Sequence, residues 1–194
     1  MAMKSLSTSR GNPYITIIWL VILGSALLFL FLLFTFFFRT QSSDWISVEL
    51  PIPFFYSSIV IAFSSISLNS AKRCFKVEAF NGFFSWIFVT FCLAISFCLL
   101  QLAGWNQMVK NGINFKNISG AFIYILTGLH LLHLVLGLAG LGWLLFASYR
   151  NRRYVDGFIL SLNPAKRSLL QMVTIFWHFL GALWWVVFLV LLAK

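Results

Sequence analysis

Five stretches of this chain contain no Asp, Glu, Lys or Arg: Tyr14–Phe38, Pro51–Asn69, Ala79–Ala103, Ser119–Ser148 and Leu169–Ala193. Each is near or above the roughly 20 residues a helix needs to cross about 30 Å of hydrocarbon. Lipid offers the backbone no hydrogen-bond partner, so such a segment must satisfy its own amides as a helix. The alternating pattern of outer-membrane barrel strands is absent. The expected fold is therefore an all-α bundle of five transmembrane helices, a single integral-membrane domain over residues 1–194. The second stretch is the shortest, and Ser57, Ser58, Ser64, Ser65 and Ser67 dilute it. Pro53 suits its first helical turn, where a missing N–H does no harm.

Charge supports this reading and sets an orientation. Only 9% of the residues are charged, against about 25% in a soluble domain. The net charge of +10 comes from bases in the short segments between apolar runs. Bases placed there orient a membrane protein and touch lipid head groups; they are no nucleic-acid footprint. Ten of the fourteen bases share one side: Lys4 and Arg10, then Lys72, Arg73 and Lys76, then Arg150, Arg152, Arg153, Lys166 and Arg167. Arg39, Lys110, Lys116 and Lys194 share the other. An excess of cytoplasmic bases puts the N-terminus in the cytoplasm and the C-terminus outside. The first ten residues are too polar and short for a secretory signal, so the first span is expected to be retained. Cys74, Cys92 and Cys98 form no ligand pair and read as small buried hydrophobes.

Within the spans, one segment raises a chemical question. TGLHLLHLVLG, Thr127 to Gly137, carries His130 and His133 in the middle of an apolar run. At about 100° per residue, Thr127, His130, His133, Gly137 and Gly140 share one arc. The fifth span has a stripe of Gln171, Thr174, His178, Gly181 and Trp185, and the second has Ser58, Ala62, Ser65 and Asn69. Stripes of small and polar residues are the usual seams of packed membrane helices. Three readings of the histidines compete: neutral groups hydrogen-bonded across seams, a b-type haem held by His133 and His178, or a proton relay. The haem reading would make the chain a membrane-anchor cytochrome of a dehydrogenase. A relay normally wants an acid, and no span contains one.

TGLHLLHLVLG resembles the Thr-Gly-x-His-x-x-His-x-x-x-Gly signature of subunit III of the haem–copper oxidases, the cytochrome c and quinol oxidases. LPIPFFYSSIVIAFSSISLNSAKR is similar to the second helix of that family's five-helix form, with its Leu-Pro start, its Ser64-Ser65 pair and its basic exit. Gln101 in LLQLAGW matches a family glutamine, and Trp177, His178, Phe179 and Trp184 match a Trp-His-Phe motif with a later Trp. The resemblance implies the short five-helix bacterial form, a multi-pass protein of the inner (plasma) membrane. It implies a chain with no catalytic residue, haem or copper of its own, the metals being held by partner subunits. It implies direct packing on subunit I within a complex that includes subunit II and other respiratory-chain subunits, together with bound phospholipid. It implies seam, lipid or water contacts for Thr127, His130, His133, Gly137, Trp177, His178, Trp184, Gln101, Ser64 and Ser65. Three family acids are replaced: Ala26, Gly104 and Leu180-Gly181 stand where they are common. Those replacements favour packing and lipid roles over proton handling.

Overall fold

The computed structural model describes residues 13–41, 49–150 and 164–193. Lys4, Arg10, Arg152, Arg153 and Lys194, on which part of the orientation argument rests, lie outside them. Five helices form: α1 (Pro13–Arg39), α2 (Ile52–Lys76), α3 (Phe80–Lys110), α4 (Ile118–Arg150) and α5 (Pro164–Leu192). All five are long and apolar enough to cross a membrane. Each charge-free stretch coincides with one helix, but α2 continues to Lys76 and α3 to Lys110. The extensions carry Lys72, Arg73, Lys76 and Lys110, whose long stems let the charge reach the interface while the backbone stays helical.

The ends of α2 and α3 use the same backbone device. After α2 the Ala79 amide donates to the Cys74 carbonyl at 2.9 Å, and Glu78 takes a left-handed φ of 58°. After α3 the Ile113 amide donates to Met108 at 3.0 Å around Gly112, with φ 75°. This six-to-one bond caps orphan carbonyls and turns the chain back. Glycine takes the turn at low cost in the second case; Glu78 holds a conformation that disfavours a side chain in the first.

The turn at Glu78 folds α2 and α3 into a closely packed hairpin. Contacts from α3 to α4, α4 to α5 and α5 to α2 then close a ring of four helices, and α1 lies outside against α5 and α4. Burial follows this order: 50% of the α5 span is buried in the bundle, against 17% of α1. The core is filled by Phe54, Ile61 and Leu68 of α2, Ile87 and Phe97 of α3, Leu134 and Leu141 of α4, and Trp177 and Trp184 of α5.

Candidate functional site

The serines that dilute the second stretch form its buried face. Ser57, Ser58, Ser64 and Ser67 are all buried. The hydroxyls of Ser57 and Ser58 donate to the Phe54 carbonyl at 2.8 and 2.9 Å, and Ser64 donates to Ile61 at 2.7 Å. A serine whose proton is used within its own helix keeps lone pairs to offer a neighbour. Each of the three accepts one donor from another helix: Gln101 Nε2 reaches Ser57 at 2.8 Å, Trp184 Nε1 reaches Ser58 at 2.9 Å, and Trp177 Nε1 reaches Ser64 at 3.1 Å. Thr127 repeats the construction between α3 and α4. It donates to Ile123 at 2.7 Å and accepts Trp105 Nε1 at 3.0 Å. Between two and three turns from the α2–α3 hairpin end, Ser67 and Thr90 share a 2.9 Å bond beside the Trp86 carbonyl.

Three glycines shape the remaining contacts. A Cβ at Gly137 would stand 3.1 Å from Leu180 and 3.2 Å from the Trp177 ring. The same indole therefore lies against Gly137 on one side and bonds Ser64 on the other, joining α4, α5 and α2. At Gly181 a Cβ would come within 3.3 Å of Ser65 Oγ, which is how Ser65 enters the α2–α5 seam. At Gly104 the Phe54 ring occupies the place a side chain would need. Gly104 is where the resembling family commonly has an acid, and here that space is filled by an aromatic ring.

The histidines do three different things. His130 is completely buried, with its ring against Phe97 (centroids 5.8 Å) and Trp184 (5.2 Å). His133 is half-buried; its Nδ1 lies 2.8 Å from the Leu129 carbonyl of its own helix, and its ring meets Phe29 of α1 edge-on at 5.7 Å. His178 Nε2 lies 3.1 Å from Asn69 Oδ1 of α2. His133 and His178 thus turn to different helices. Among the described residues, no group of three or more His, Cys, Asp or Glu side chains comes together.

The periodic stripe on α5 needs correction. On α5, Thr174 and Gly181 are buried but Gln171 and Trp185 are exposed. The buried line passes instead through Val173, Trp177, Leu180 and Trp184, because the large indoles fill the ring's interior. On α2 the stripe does lie on a seam: Ser58 accepts Trp184 Nε1, Ser65 lies against Gly181, and Asn69 Oδ1 lies 3.1 Å from His178 Nε2. Of the cysteines, Cys92 is exposed and Cys74 and Cys98 are half-buried, so none is a core residue. Ser57, Phe97 and Trp105 belong to the site without having been singled out for it. The α2–α5 pairing itself has a signal in the sequence: two serines six apart on α2, Ser58 and Ser64, facing two tryptophans seven apart on α5, Trp177 and Trp184.

No protein-family model matches the chain. It is similar to a cytochrome bo(3) ubiquinol oxidase subunit 3 of Pseudomonas putida, 25% identical over 150 residues, which covers 76% of this chain and 63% of the relative. It is also similar to a probable cytochrome c oxidase subunit 3 of Nocardia farcinica, 28% identical over 179 residues, 87% of this chain and 81% of the relative. The probable cytochrome c oxidase subunit 3 of Mycobacterium bovis is 24% identical over 183 residues, 91% of this chain and 84% of the relative. The match thus spans less than two thirds of the Pseudomonas protein but more than four fifths of the other two.

Proposed function

We propose, on the footing that this chain belongs to the subunit III family of respiratory oxidases, that it is the non-redox third subunit of a haem–copper oxidase, packed on catalytic subunit I. It is a multi-pass protein of a bacterial inner membrane. The observation that carries the non-redox reading is the use of its intramembrane polar groups. Gln101, Trp105, Trp177, Trp184 and His178 each bind a side chain of a neighbouring helix. The charge-free spans hold no acid to exchange protons with them. Such a chain supports the assembly and durability of a complex whose metals lie in other subunits.

Two recesses favour lipid as a further ligand. One, of about 230 Å³, is apolar and lies among Ile18 and Val21 of α1, Gly137 and Gly140 of α4, and Val173 and Phe176 of α5. It suits an acyl chain. The other, of about 300 Å³, is lined by Asn69, Lys72, Arg73 and Lys76 at the end of α2 and suits an anionic head group. With the N-terminus cytoplasmic, that second recess faces the inner leaflet. Cytochrome c is the proposed electron donor; a quinol donor is the alternative, because the Pseudomonas relative is a ubiquinol oxidase subunit.

The test is purification from native membranes through a tag on this chain. Oxidase subunits I and II and their haem absorbance should co-purify, and the absorbance should not follow the chain when it is separated from them. A Soret band that stays with the isolated chain and vanishes in His133→Ala and His178→Ala would instead identify an anchor cytochrome. Orientation is checked by a cysteine placed beside Arg152: it should react with an impermeant thiol reagent only after lysis.

A further inference from the structure

Among the described residues, three fully buried side-chain atoms in the ring of helices have no protein partner: Gln101 Oε1 and both ring nitrogens of His130. Both residues have no exposed surface. Buried polar groups are almost always paired, because an unpaired one forfeits its hydration with nothing in return. The same side chains are otherwise well placed. Gln101 spends its amide nitrogen on Ser57. The His130 ring packs against Phe97 and Trp184.

The helix register sets these atoms at one level. Trp105 Nε1 bonds Thr127 Oγ1 across the antiparallel α3–α4 pair. One turn inward from that bond on α3 stands Gln101, and one turn inward on α4 stands His130. One further turn along α3, Phe97 touches the His130 ring. Gln101 therefore lies on the α3 face between two residues that both reach α4, and the inner of them reaches His130 itself.

The chemistry of the unpartnered atoms specifies the ligand. Gln101 Oε1 can only accept a hydrogen bond, whereas an uncharged imidazole has one donor and one acceptor nitrogen. A group serving both residues must accept from the imidazole N–H and donate to the glutamine oxygen. It must also be small, since Phe97 and Trp184 pack against the ring, and uncharged, since the site offers no countercharge. We propose that an internal water molecule is bound between His130 and Gln101 at the centre of the bundle, with a second water on the remaining imidazole nitrogen. The first water ties α4 through Gln101 to Ser57, so that one chain of hydrogen bonds runs from α4 to α3 to α2. This gives His130 a positioning role that needs neither metal nor proton transfer. The inference rests on the packing of this chain alone and holds whichever complex the chain belongs to.

The experiment is electron cryo-microscopy of the native complex containing this chain, at a resolution that shows ordered water. A peak about 2.7–3.2 Å from both Gln101 Oε1 and one His130 nitrogen is expected. In Gln101→Met, which keeps the length of the side chain and removes its oxygen, that peak should be lost. Three results in the native complex overturn the proposal: a direct His130–Gln101 bond, a partner's side chain in the place of the water, or both residues ordered with no density between them. Retention of the peak in Gln101→Met overturns it as well. If Gln101→Met does not assemble, the native map decides alone.

Discussion

The α2–α5 seam and the α4–α5 seam meet the same helix and are made of different contacts. Toward α2, α5 extends three side-chain hydrogen bonds: Trp184 to Ser58, Trp177 to Ser64 and His178 to Asn69. Toward α4 it lays Leu180, Trp177 and Val173 onto Gly137 and Gly140. The first seam is directional and fixes register, since each indole has one N–H and one serine to meet. The second is steric and fixes distance. In lipid there is no water to expel between helices, so close packing and hydrogen bonds together replace the hydrophobic effect as the force of association. Interhelical hydrogen bonds in membranes average only about 0.6 kcal/mol, while filling or emptying a packed position costs several times more. The steric contacts should therefore dominate stability, and the hydrogen bonds should dominate alignment.

That ranking can be broken at three points. The largest effect belongs to Trp184→Ala. The indole is fully buried among Phe54, Phe97, His130 and Phe188, and truncating such a side chain costs roughly 3–5 kcal/mol. Most of the subunit should be missing from the purified oxidase; full retention would mean that the aromatic centre does not support the fold. Gly137→Leu comes second. It forces a branched side chain against Leu180 and Trp177 at a cost of about 1–3 kcal/mol, read as weaker retention in detergent. Ser64→Ala is third. It removes the acceptor of Trp177 Nε1, and the temperature at which the subunit leaves the complex should fall by the equivalent of about 0.6–1.7 kcal/mol. Adding Trp177→Phe should produce much less than the sum of the two single effects, because both break one bond. Full additivity would show that the Trp177–Ser64 bond contributes nothing to the seam.

The two seams also differ in how far the sequence announced them. Five charge-free stretches in a lipid environment leave the backbone one option, so the number of helices was legible. Gly137 and Gly181 were legible as close contacts, because small residues repeating along a span have few other uses in a membrane. The partners of those glycines were not, since nothing local says that α5 would face α2 and α4 together. Ser58, Ser64 and Ser65 were legible as seam residues, but what serine does in the seam was not. Taken alone it weakens an apolar span, but once its proton is used by the i−3 or i−4 carbonyl it becomes an acceptor for a neighbouring indole. The stripe on α5 was drawn through Gln171 and Trp185, which are exposed, because periodicity weighs a polar residue and a tryptophan alike. Volume decides the matter: Trp177 and Trp184 fill the centre and rotate the helix accordingly.

The steric claim is tested most directly by adding bulk to two faces of one helix and counting copies of the subunit per haem. Gly137 is buried against α5, whereas Val135, two residues away, is 55% exposed on the far face. In oxidase purified through a tag on subunit I, Gly137→Leu should lower the amount of this chain per haem, and Val135→Phe should leave it at the wild-type level. The haem spectrum of the remaining complex should be the same in all three. Retention of the Gly137→Leu subunit together with loss of the Val135→Phe subunit would contradict the assignment of these faces and the account built on them.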